Sequence, residues 1–221
     1  MSFDAAGFIR AQTRISAPPF VPEVELYLAD EVTPLWQATE VELEQNNLPP
    51  PFWAFAWAGG QGMARHILDN PEVVRGKRVV DFATGSGLVA IAAMKAGADS
   101  VLAVDIDPFA LAAAEMNAAH NQVVVEICSG VDLTCAYKKA DVVLAGDICY
   151  QQQVATTVTR WLRLCAGAGK EVFLADPGRA YVPDVGMEQI ISYEIPTLRE
   201  IEDSDRRTVT VWRMTTVNDG G

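Results

Sequence analysis

The stretch that decides the fold is Val79-Val80-Asp81-Phe82-Ala83-Thr84-Gly85-Ser86-Gly87, in which an apolar strand runs into a glycine turn. Eighteen residues after Gly87, Asp105 follows a second apolar run, in Val104-Asp105-Ile106-Asp107-Pro108. A glycine turn after one strand, with an acid at the tip of the next, is typical of a site for a nucleoside cofactor. Gly85 and Gly87 let the backbone turn tightly and approach a ligand. Asp105 can then hold two ribose hydroxyls.

Two classes of cofactor use this geometry. The spacing Gly85-x-Gly87-x-x-Ala90 satisfies the loose dinucleotide pattern, which would indicate a nicotinamide enzyme. However, a carboxylate at Asp81, four residues before Gly85, would repel a pyrophosphate at this turn. S-adenosylmethionine carries an ammonium there and has no phosphate, so the pair Asp81 and Asp105 favours a methyl donor. The alternative without a ligand is a plain strand-to-helix turn, with Asp81 capping a helix.

Composition bounds the class of protein. The 221 residues are 50% hydrophobic, which is enough for one domain with a substantial core. A formal net charge of −12 disfavours a nucleic-acid partner and favours a basic substrate or a basic patch on a protein. No run of eighteen apolar residues exists, and the amino terminus lacks a basic region followed by an apolar stretch. We therefore expect no membrane span, no secretion signal and a cytoplasmic location.

Cysteine and histidine usage argues against metal and hydrolase sites. The four cysteines show no Cys-x-x-Cys spacing, and only two histidines are present, so we predict no metal site. No Gly-x-Ser-x-Gly elbow appears either, which disfavours a hydrolase triad.

Strand and helix patterns alternate from residue 78 to residue 175, which predicts an α/β fold with a parallel, doubly wound sheet. Predicted strands cover 78–81, 101–105, 123–127, 141–145, 171–175, 189–195 and 208–214. Predicted helices cover 4–14, 62–70, 87–95, 108–119 and 151–164. The last two strands, joined through Glu200 to Asp205 without a helix, should form an antiparallel hairpin. The connections 129–140 and 180–188 look too short for crossover helices.

Proline density divides the chain. Seven of the twelve prolines lie between residues 18 and 51. We predict an N-terminal extension over residues 1–52, packed on the core, and a main domain over residues 53–221.

Four acids follow predicted strands and should face one crevice, because ligands of such sheets bind outside the carboxyl ends of the strands. They are Asp81, Asp105, Asp147 and Asp176. In Asp147-Ile148-Cys149-Tyr150, a carboxylate and a phenol would lie where the methyl group of the donor points. The alternative is that Asp147 only caps the helix that begins near Gln151.

The segment Pro51-Phe52-Trp53-Ala54-Phe55-Ala56-Trp57-Ala58-Gly59-Gly60 places four aromatics between prolines and glycines. We expect no regular helix here, but a lid or a wall. Trp53, Phe55 and Trp57 could flank a cofactor or shape a channel for an alkylammonium through cation–π attraction. Packing in the core is the alternative that such aromatic runs more often favour.

Five segments together resemble the family of electron transfer flavoprotein beta-subunit lysine methyltransferases, which belongs to the seven-beta-strand protein lysine methyltransferases. They are Pro51 to Gln61, Leu68 to Lys77, Asp105 to Pro108, Asp147 to Tyr150 and Asp176 to Arg179. The resemblance spans almost the whole chain, as far as Val211-Trp212. It implies a Rossmann-like class I methyltransferase fold with seven strands, S-adenosylmethionine as cofactor, and methylation of lysines on the flavoprotein beta subunit.

The resemblance also implies roles for single residues. The family's Asp-x-x-Tyr signature matches Asp147 and Tyr150, which we predict to be catalytic: Asp147 would orient the incoming ammonium, and Tyr150 and a tryptophan would wall the channel. We expect adenine to pack on Ile106 and near Ser129 to Asp132. The predicted cofactor contacts are Trp57, Gly59, Asp81, Ala83, Thr84, Gly85, Gly87, Asp105, Ile106, Ser129, Asp132 and Asp147.

Three rival functions stay open. The acceptor could be another protein, such as a ribosomal protein, or a small amine such as nicotinamide. No Asn-Pro-Pro-Tyr motif follows the fourth strand, which disfavours transfer to a planar amide or a nucleobase amine. A cofactor-binding protein without catalysis is the rival from another class.

Overall fold

The computed structural model describes residues 4–30, 50–197 and 204–215. Five α-helices lie in these ranges: α1 (Ala5–Gln12), α2 (Ala58–Asp69), α3 (Leu88–Lys95), α4 (Pro108–His120) and α5 (Gln152–Gly167). The nine strands there are β1 (Arg14–Ser16), β2 (Leu26–Leu28), β3 (Arg78–Phe82), β4 (Ser100–Val104), β5 (Glu126–Cys128), β6 (Val142–Gly146), β7 (Glu171–Asp176), β8 (Met187–Pro196) and β9 (Arg206–Met214).

The central sheet has seven strands in the order β5-β4-β3-β6-β7-β9-β8. Strands β3 to β7 run parallel, and β9 pairs antiparallel with both β7 and β8. The predicted doubly wound sheet and its antiparallel C-terminal hairpin are therefore confirmed. The connections 129–140 and 180–188 contain no helix, as predicted.

Alternate residues of the strands face opposite layers of the core, as the two-residue repeat of a strand requires. Val79 packs in one cluster with Met63 of α2, and its neighbour Val80 packs in another with Trp161 of α5. Phe173 and Leu174 of β7 divide in the same way. Both faces of the sheet are thus covered, which explains why these strands read as continuous apolar runs.

The topology places the site. The chain proceeds from β3 outward to β4 and β5 on one side, and then returns to β6 and β7 on the other. The carboxyl ends of all five parallel strands lie at one edge, and ligands bind where the strand order reverses, between β3 and β6.

Residues before the aromatic segment contact α4. Phe8 of α1 packs edge-on against Phe109, with ring centroids 5.4 Å apart. The Tyr27 amide donates to Asn117 Oδ1 at 2.7 Å, and the Ala29 amide donates to the Ala54 carbonyl at 2.9 Å. The division of the chain at residue 52 stays a prediction.

The structure corrects two local predictions. The aromatic segment is partly helical: Phe52–Ala54 form a 3₁₀ turn, and α2 begins at Ala58, because the extended backbone of Trp57 leads directly into the helix. The strand predicted over 123–127 begins only at Glu126. The Val123 amide instead donates to the Ala118 carbonyl, and Gln122 has φ 59°, so these residues close the C-terminus of α4 in a Schellman arrangement.

None of the helices in the described ranges combines the length and the apolar character that crossing a membrane requires.

Candidate active site

The glycine turn between β3 and α3 uses its two glycines differently. Gly87 has φ 81°, and a Cβ there would lie 2.9 Å from Ala114 Cα, so Gly87 lets α4 pack closely. Gly85 has φ 52°, and a Cβ there would have no neighbouring atom within 4 Å. Ala83 is also left-handed, with φ 57°. Gly87 thus serves packing, and Gly85 leaves open space in front of the turn.

Asp81 is sealed beneath this turn, with 2% of its surface exposed. Its Oδ2 accepts from Thr84 Oγ1 at 2.5 Å and from the Ala90 amide, in the first turn of α3, at 3.0 Å. Burial raises the pKa of this carboxyl to about 7, and the nearby charge of Asp105 adds to the effect. These contacts agree with the alternative that Asp81 caps a helix, and direct contact with a ligand ammonium stays a prediction.

Asp105 follows β4 and faces the turn. Its Oδ2 accepts from the Gly85 amide at 3.0 Å, and its Oδ1 accepts from the Asp107 amide at 3.0 Å. Each carboxylate oxygen can accept a further hydrogen bond. The side chain of Ile106 beside it is 89% exposed. An acceptor for a diol, a bare apolar side chain and the open space at Gly85 fit a nucleoside with a short polar tail.

Ser129 and Asp132 are exposed and follow β5. Asp132 Oδ1 accepts from the Thr134 amide at 2.8 Å and from Thr134 Oγ1 at 2.6 Å, and these bonds lower the pKa of the Asp132 carboxyl. The carboxylate therefore stabilises its own turn, and a cofactor contact from either residue stays a prediction.

Asp147 follows β6, across from Asp105 at the point where the strand order reverses, and has a left-handed conformation with φ 57°. Its Oδ2 accepts from the Gly60 amide at 2.7 Å, and its Oδ1 accepts from Arg179 Nη1 at 2.5 Å. Gly60 lies in the first turn of α2, where the helix dipole favours an anion. Asp147 does not cap α5, whose N-cap residue Gln151 makes no capping bond through its side chain.

Gly59 has no side chain, which leaves space for the carboxylate of Asp147. A Cβ at Gly59 would lie 2.7 Å from Asp147 Oδ2 and 2.7 Å from the Ala175 carbonyl oxygen. The Asp147 amide donates to that same carbonyl at 3.0 Å. The structure places Gly59 against the Asp147 carboxylate, and its predicted contact with a cofactor stays a prediction.

The turn after β7 supplies two further charges. Asp176 is fully buried, and its Oδ1 accepts from the Arg179 amide at 2.7 Å. Arg179 Nη1 also lies 3.4 Å from Asp176 Oδ2. Burial raises the pKa of the Asp176 carboxyl, an effect that the Arg179 charge opposes. One guanidinium therefore bridges two carboxylates from adjacent strands.

A cleft of about 440 Å³ adjoins these charges, lined by Cys149, Tyr150, Pro177, Gly178, Arg179, Ala180, Tyr181 and Arg207. Tyr150 is 46% exposed, and its ring centroid lies 5.6 Å from that of Phe52. Burial raises the pKa of the Tyr150 hydroxyl, and burial raises that of the Cys149 thiol to about 12. Both groups are therefore neutral at physiological pH.

The aromatic segment divides between core and site. Trp53 is buried and stacks on Phe109 with centroids 6.1 Å apart, and Phe55 is also buried. Trp57 is only partly buried, and its Nε1 donates to the Phe52 carbonyl at 2.8 Å. Core packing thus holds for Trp53 and Phe55, whereas Phe52 and Trp57 lie on the side of Tyr150.

Sequence reasoning missed two contacts. It gave no role to Gly60, whose amide binds Asp147, because a backbone donor leaves no mark on residue type. It also missed Asn117, which is fully buried and donates from Nδ2 to the Ser86 carbonyl at 2.8 Å. A lone amide in the alanine-rich run of α4 was the available signal.

Sequence comparison with known proteins identifies the family. The profile of the family described as ribosomal protein L11 methyltransferase (PrmA) matches residues 63–150. The electron transfer flavoprotein beta subunit lysine methyltransferase of Danio rerio is 33% identical over 95% of this chain and 83% of its own length. The Homo sapiens protein of the same name is 34% identical over 93% of this chain and 80% of its own length. This chain belongs to the family of electron transfer flavoprotein beta subunit lysine methyltransferases. It is a methyltransferase.

Solved structures agree on the fold. The ribosomal protein L11 methylase of Lactobacillus delbrueckii subsp. bulgaricus has a TM-score of 0.51 and 22% identity, over 71% of this chain and 79% of its own. The magnesium protoporphyrin IX methyltransferase of Synechocystis, solved with S-adenosylmethionine bound, has a TM-score of 0.52 and 17% identity over the same shares. The predicted class I methyltransferase fold is confirmed.

Proposed function

We propose that this chain transfers methyl groups from S-adenosylmethionine to lysine side chains of the electron transfer flavoprotein beta subunit. The observation that carries the proposal is the similarity to relatives named for this reaction over 95% of the chain, which takes in both the glycine turn and the segments around Asp147 and Arg179. The arrangement of charges at the carboxyl edge of the sheet supports it.

The glycine turn and Asp105 form the donor side in this proposal. Asp105 accepts from the ribose hydroxyls, Ile106 supports the adenine, and the open space at Gly85 admits the ligand. The remaining donor-side contacts are proposed for Trp57, Gly59, Asp81, Ala83, Thr84, Gly87, Ser129 and Asp132. Asp147, which we also predicted as a cofactor contact, is proposed for the acceptor instead, because Gly60 and Arg179 hold its two oxygens. When bound, S-adenosylmethionine supplies a methyl group to a neutral lysine amine. The amine nitrogen bonds to the methyl carbon, and the electrons of the broken carbon–sulfur bond stay on the sulfur, which becomes neutral.

Asp147 receives the acceptor. Its oxygens each accept one hydrogen bond in the structure, so lone pairs remain for a lysine ammonium. The carboxylate favours the charged form of that lysine, whose ordinary pKa is about 10.4, and so opposes its deprotonation. Asp147 therefore binds and orients the lysine and does not act as its base. The enzyme contributes mainly by positioning the two reactants.

Tyr150 forms a wall of the acceptor channel. Its ring contacts Phe52 and lines the cleft beside Cys149. Because its hydroxyl is neutral, Tyr150 can hydrogen-bond an amine but does not supply a phenolate base. Phe52 and Trp57 extend the same wall.

A protein partner and a cytoplasmic location are part of the proposal. The net charge of −12 suits a basic surface around the target lysine and disfavours nucleic acid. The four cysteines are free thiols, as a reducing compartment keeps them.

Ribosomal protein L11 is the second candidate acceptor. The ribosomal protein L11 methyltransferase of Vibrio cholerae is 55% identical to this chain, but over only 25% of it. The family profile ends at residue 150, before Asp176 and Arg179. The likeness therefore covers the donor side better than the acceptor side.

Incubation with labelled S-adenosylmethionine tests the proposal. The purified protein is given the electron transfer flavoprotein beta subunit or ribosomal protein L11 of the same organism, and mass spectrometry locates any label. We expect methyl-lysine on the beta subunit. Label on L11 alone would keep the enzyme class and reject the substrate. Donor binding without label on any protein of a cell extract would reject protein methylation.

A further inference from the structure

We propose that Arg179 is a positioning residue for methyl transfer: its charge, placed between Asp147 and Asp176, allows a lysine bound at Asp147 to lose its proton. The inference rests on the proposed function. It gives a role to the Asp176-Pro177-Gly178-Arg179 turn, to which the donor and acceptor contacts above assign none.

The turn after β7 holds Arg179 firmly. Gly178 has φ 82°, a left-handed conformation that suits glycine, and it turns the chain back over the end of the strand. The Arg179 amide donates to Asp176 Oδ1 at 2.7 Å. The side chain then reaches across to Asp147 Oδ1 at 2.5 Å, and only about a fifth of it is exposed. The guanidinium is thus anchored at its own backbone and aimed at the acceptor carboxylate.

The charge balance of the pocket gives the reason. Asp147 and Asp176 carry two negative charges, and Arg179 reduces their sum to one. A lysine ammonium that binds Asp147 meets the guanidinium at close range, because both cations share one carboxylate. Repulsion between them favours the neutral amine, whereas Asp147 alone would stabilise the ammonium. Asp147 can therefore capture the lysine while Arg179 promotes release of its proton to solvent.

The structure describes several other titratable groups around the cleft. The Cys149 thiol and the Tyr150 phenol, both on the turn after β6, are neutral near physiological pH. From β4, Asp105 acts on Tyr150 as a further negative charge. The connection after β7 contributes Tyr181 to the cleft, and β9 contributes Arg207. From α2, the Gly60 amide donates to Asp147 Oδ2. Arg179, whose Nη1 lies 2.5 Å from Asp147 Oδ1, is the cation to which we assign the effect.

The test is the pH dependence of single-turnover methyl transfer to the electron transfer flavoprotein beta subunit, with enzyme in excess over the protein substrate. Wild type is compared with Arg179→Gln, which removes the charge, and with Arg179→Lys, which keeps it. Arg160→Gln on the exposed face of α5 is the matched control. Donor affinity is measured for each variant by calorimetry, so that misfolding is detected separately.

In Arg179→Gln, we expect the midpoint of the rate–pH curve to move upward by about one pH unit or more, since Coulomb interactions at this range are of that size. The rate at pH 7.5 should fall about tenfold and recover at high pH, and the enzyme concentration that gives half of the maximal rate should not rise. Arg179→Lys and Arg160→Gln should keep the wild-type midpoint, and donor affinity should stay within about twofold.

An unchanged midpoint in Arg179→Gln, with the rate lowered evenly at every pH, would overturn the inference. A midpoint in Arg179→Lys that moves upward would overturn it too, and this variant decides the question if Arg179→Gln does not fold. Absence of methyl-lysine with the wild-type protein would instead reject the proposed function itself.

Discussion

The two sides of the point where the strand order reverses, which the proposed function assigns to the methyl donor and to the acceptor, are built differently. On the donor side, acids and donors come from one stretch of the chain: Thr84 and Ala90 both donate to Asp81 beneath the glycine turn, and the Gly85 amide donates to Asp105. On the acceptor side, Asp147 is held by Gly60, 87 positions away, and by Arg179, 32 positions away. The donor side is a local backbone device, and the acceptor side is assembled from distant segments.

This difference separates the two tasks of the enzyme. A turn fixed by backbone bonds suits a ligand that is the same in every cycle. The cluster of Gly60, Asp147 and Arg179 lies on three elements beside a cleft of about 440 Å³. Side chains there can be substituted to suit a different acceptor without disturbing the glycine turn. Substitutions on one side should therefore leave the task of the other side intact.

The largest effect should come from Asp147→Asn. The substitution removes the charge proposed to capture the lysine and leaves the partly buried Arg179 without its closest anion, a type of loss that costs about 3–5 kcal/mol. We expect methyl transfer to fall about 100-fold or more, with donor affinity kept. Rates and calorimetry on this variant, with the exposed Asp184→Asn as control, check the result. Equal loss of donor affinity would contradict the separation.

Asp81→Asn should change stability with a defined sign. The folded pKa of about 7 lies above the ordinary value of 3.8, so the folded state holds the proton longer than the unfolded state. As the pH rises from about 4 to about 7, the free energy of unfolding of wild type should therefore fall, relative to that of the variant, by about 1.4 kcal/mol per pH unit. Above pH 7 the difference should be constant. Urea unfolding at several pH values tests this, and parallel curves would refute it.

Asp105→Asn should weaken the donor and spare the acceptor. A hydrogen bond to a charged group contributes about 1.5–3 kcal/mol, so we expect donor affinity to fall about 10- to 100-fold. The transfer rate at saturating donor should stay close to that of wild type. Asp99→Asn, just before β4 at the opposite edge of the sheet, is the matched control. A lower rate at saturation would show that the donor side also sets the chemistry.

Tyr150→Phe should have the smallest effect. The ring and its contact with Phe52 are kept, and only a neutral hydrogen bond is lost, which contributes about 0.5–1.5 kcal/mol. Methyl transfer should fall about threefold to tenfold with an unchanged pH midpoint. A loss as large as that in Asp147→Asn would mean that the hydroxyl acts on the reacting amine directly.

The same contrast explains what the sequence could predict. Every strand of the central sheet and every helix of the described ranges was predicted within a few residues, because apolar period and glycine or proline boundaries are local signals. The glycine turn and Asp105 were found for the same reason. The start predicted for the strand at 123–127 was wrong. The Val123 amide instead donates to the Ala118 carbonyl at the end of α4, a backbone hydrogen bond that residue type does not encode.

On the acceptor side, the sequence placed Asp147 and the segment from Asp176 to Arg179 at one crevice, but it did not pair Asp147 with Arg179 or with Gly60. Nothing in the local pattern near Gly60 or Arg179 indicates that both would meet one carboxylate, because that meeting depends on how β6, β7 and α2 converge. The burial of Asp81 could not be predicted either. Its spacing to the glycines predicted a ligand contact, whereas its hydrogen bonds with Thr84 and Ala90 depend on where α3 packs.

The most direct test of the central claim measures donor affinity and saturated methyl-transfer rate together in wild type, Asp105→Asn and Asp147→Asn. The account predicts that Asp105→Asn loses affinity and keeps its rate, and that Asp147→Asn keeps affinity and loses its rate. Loss of both quantities in both variants would contradict it, because the two sides would then form one inseparable site.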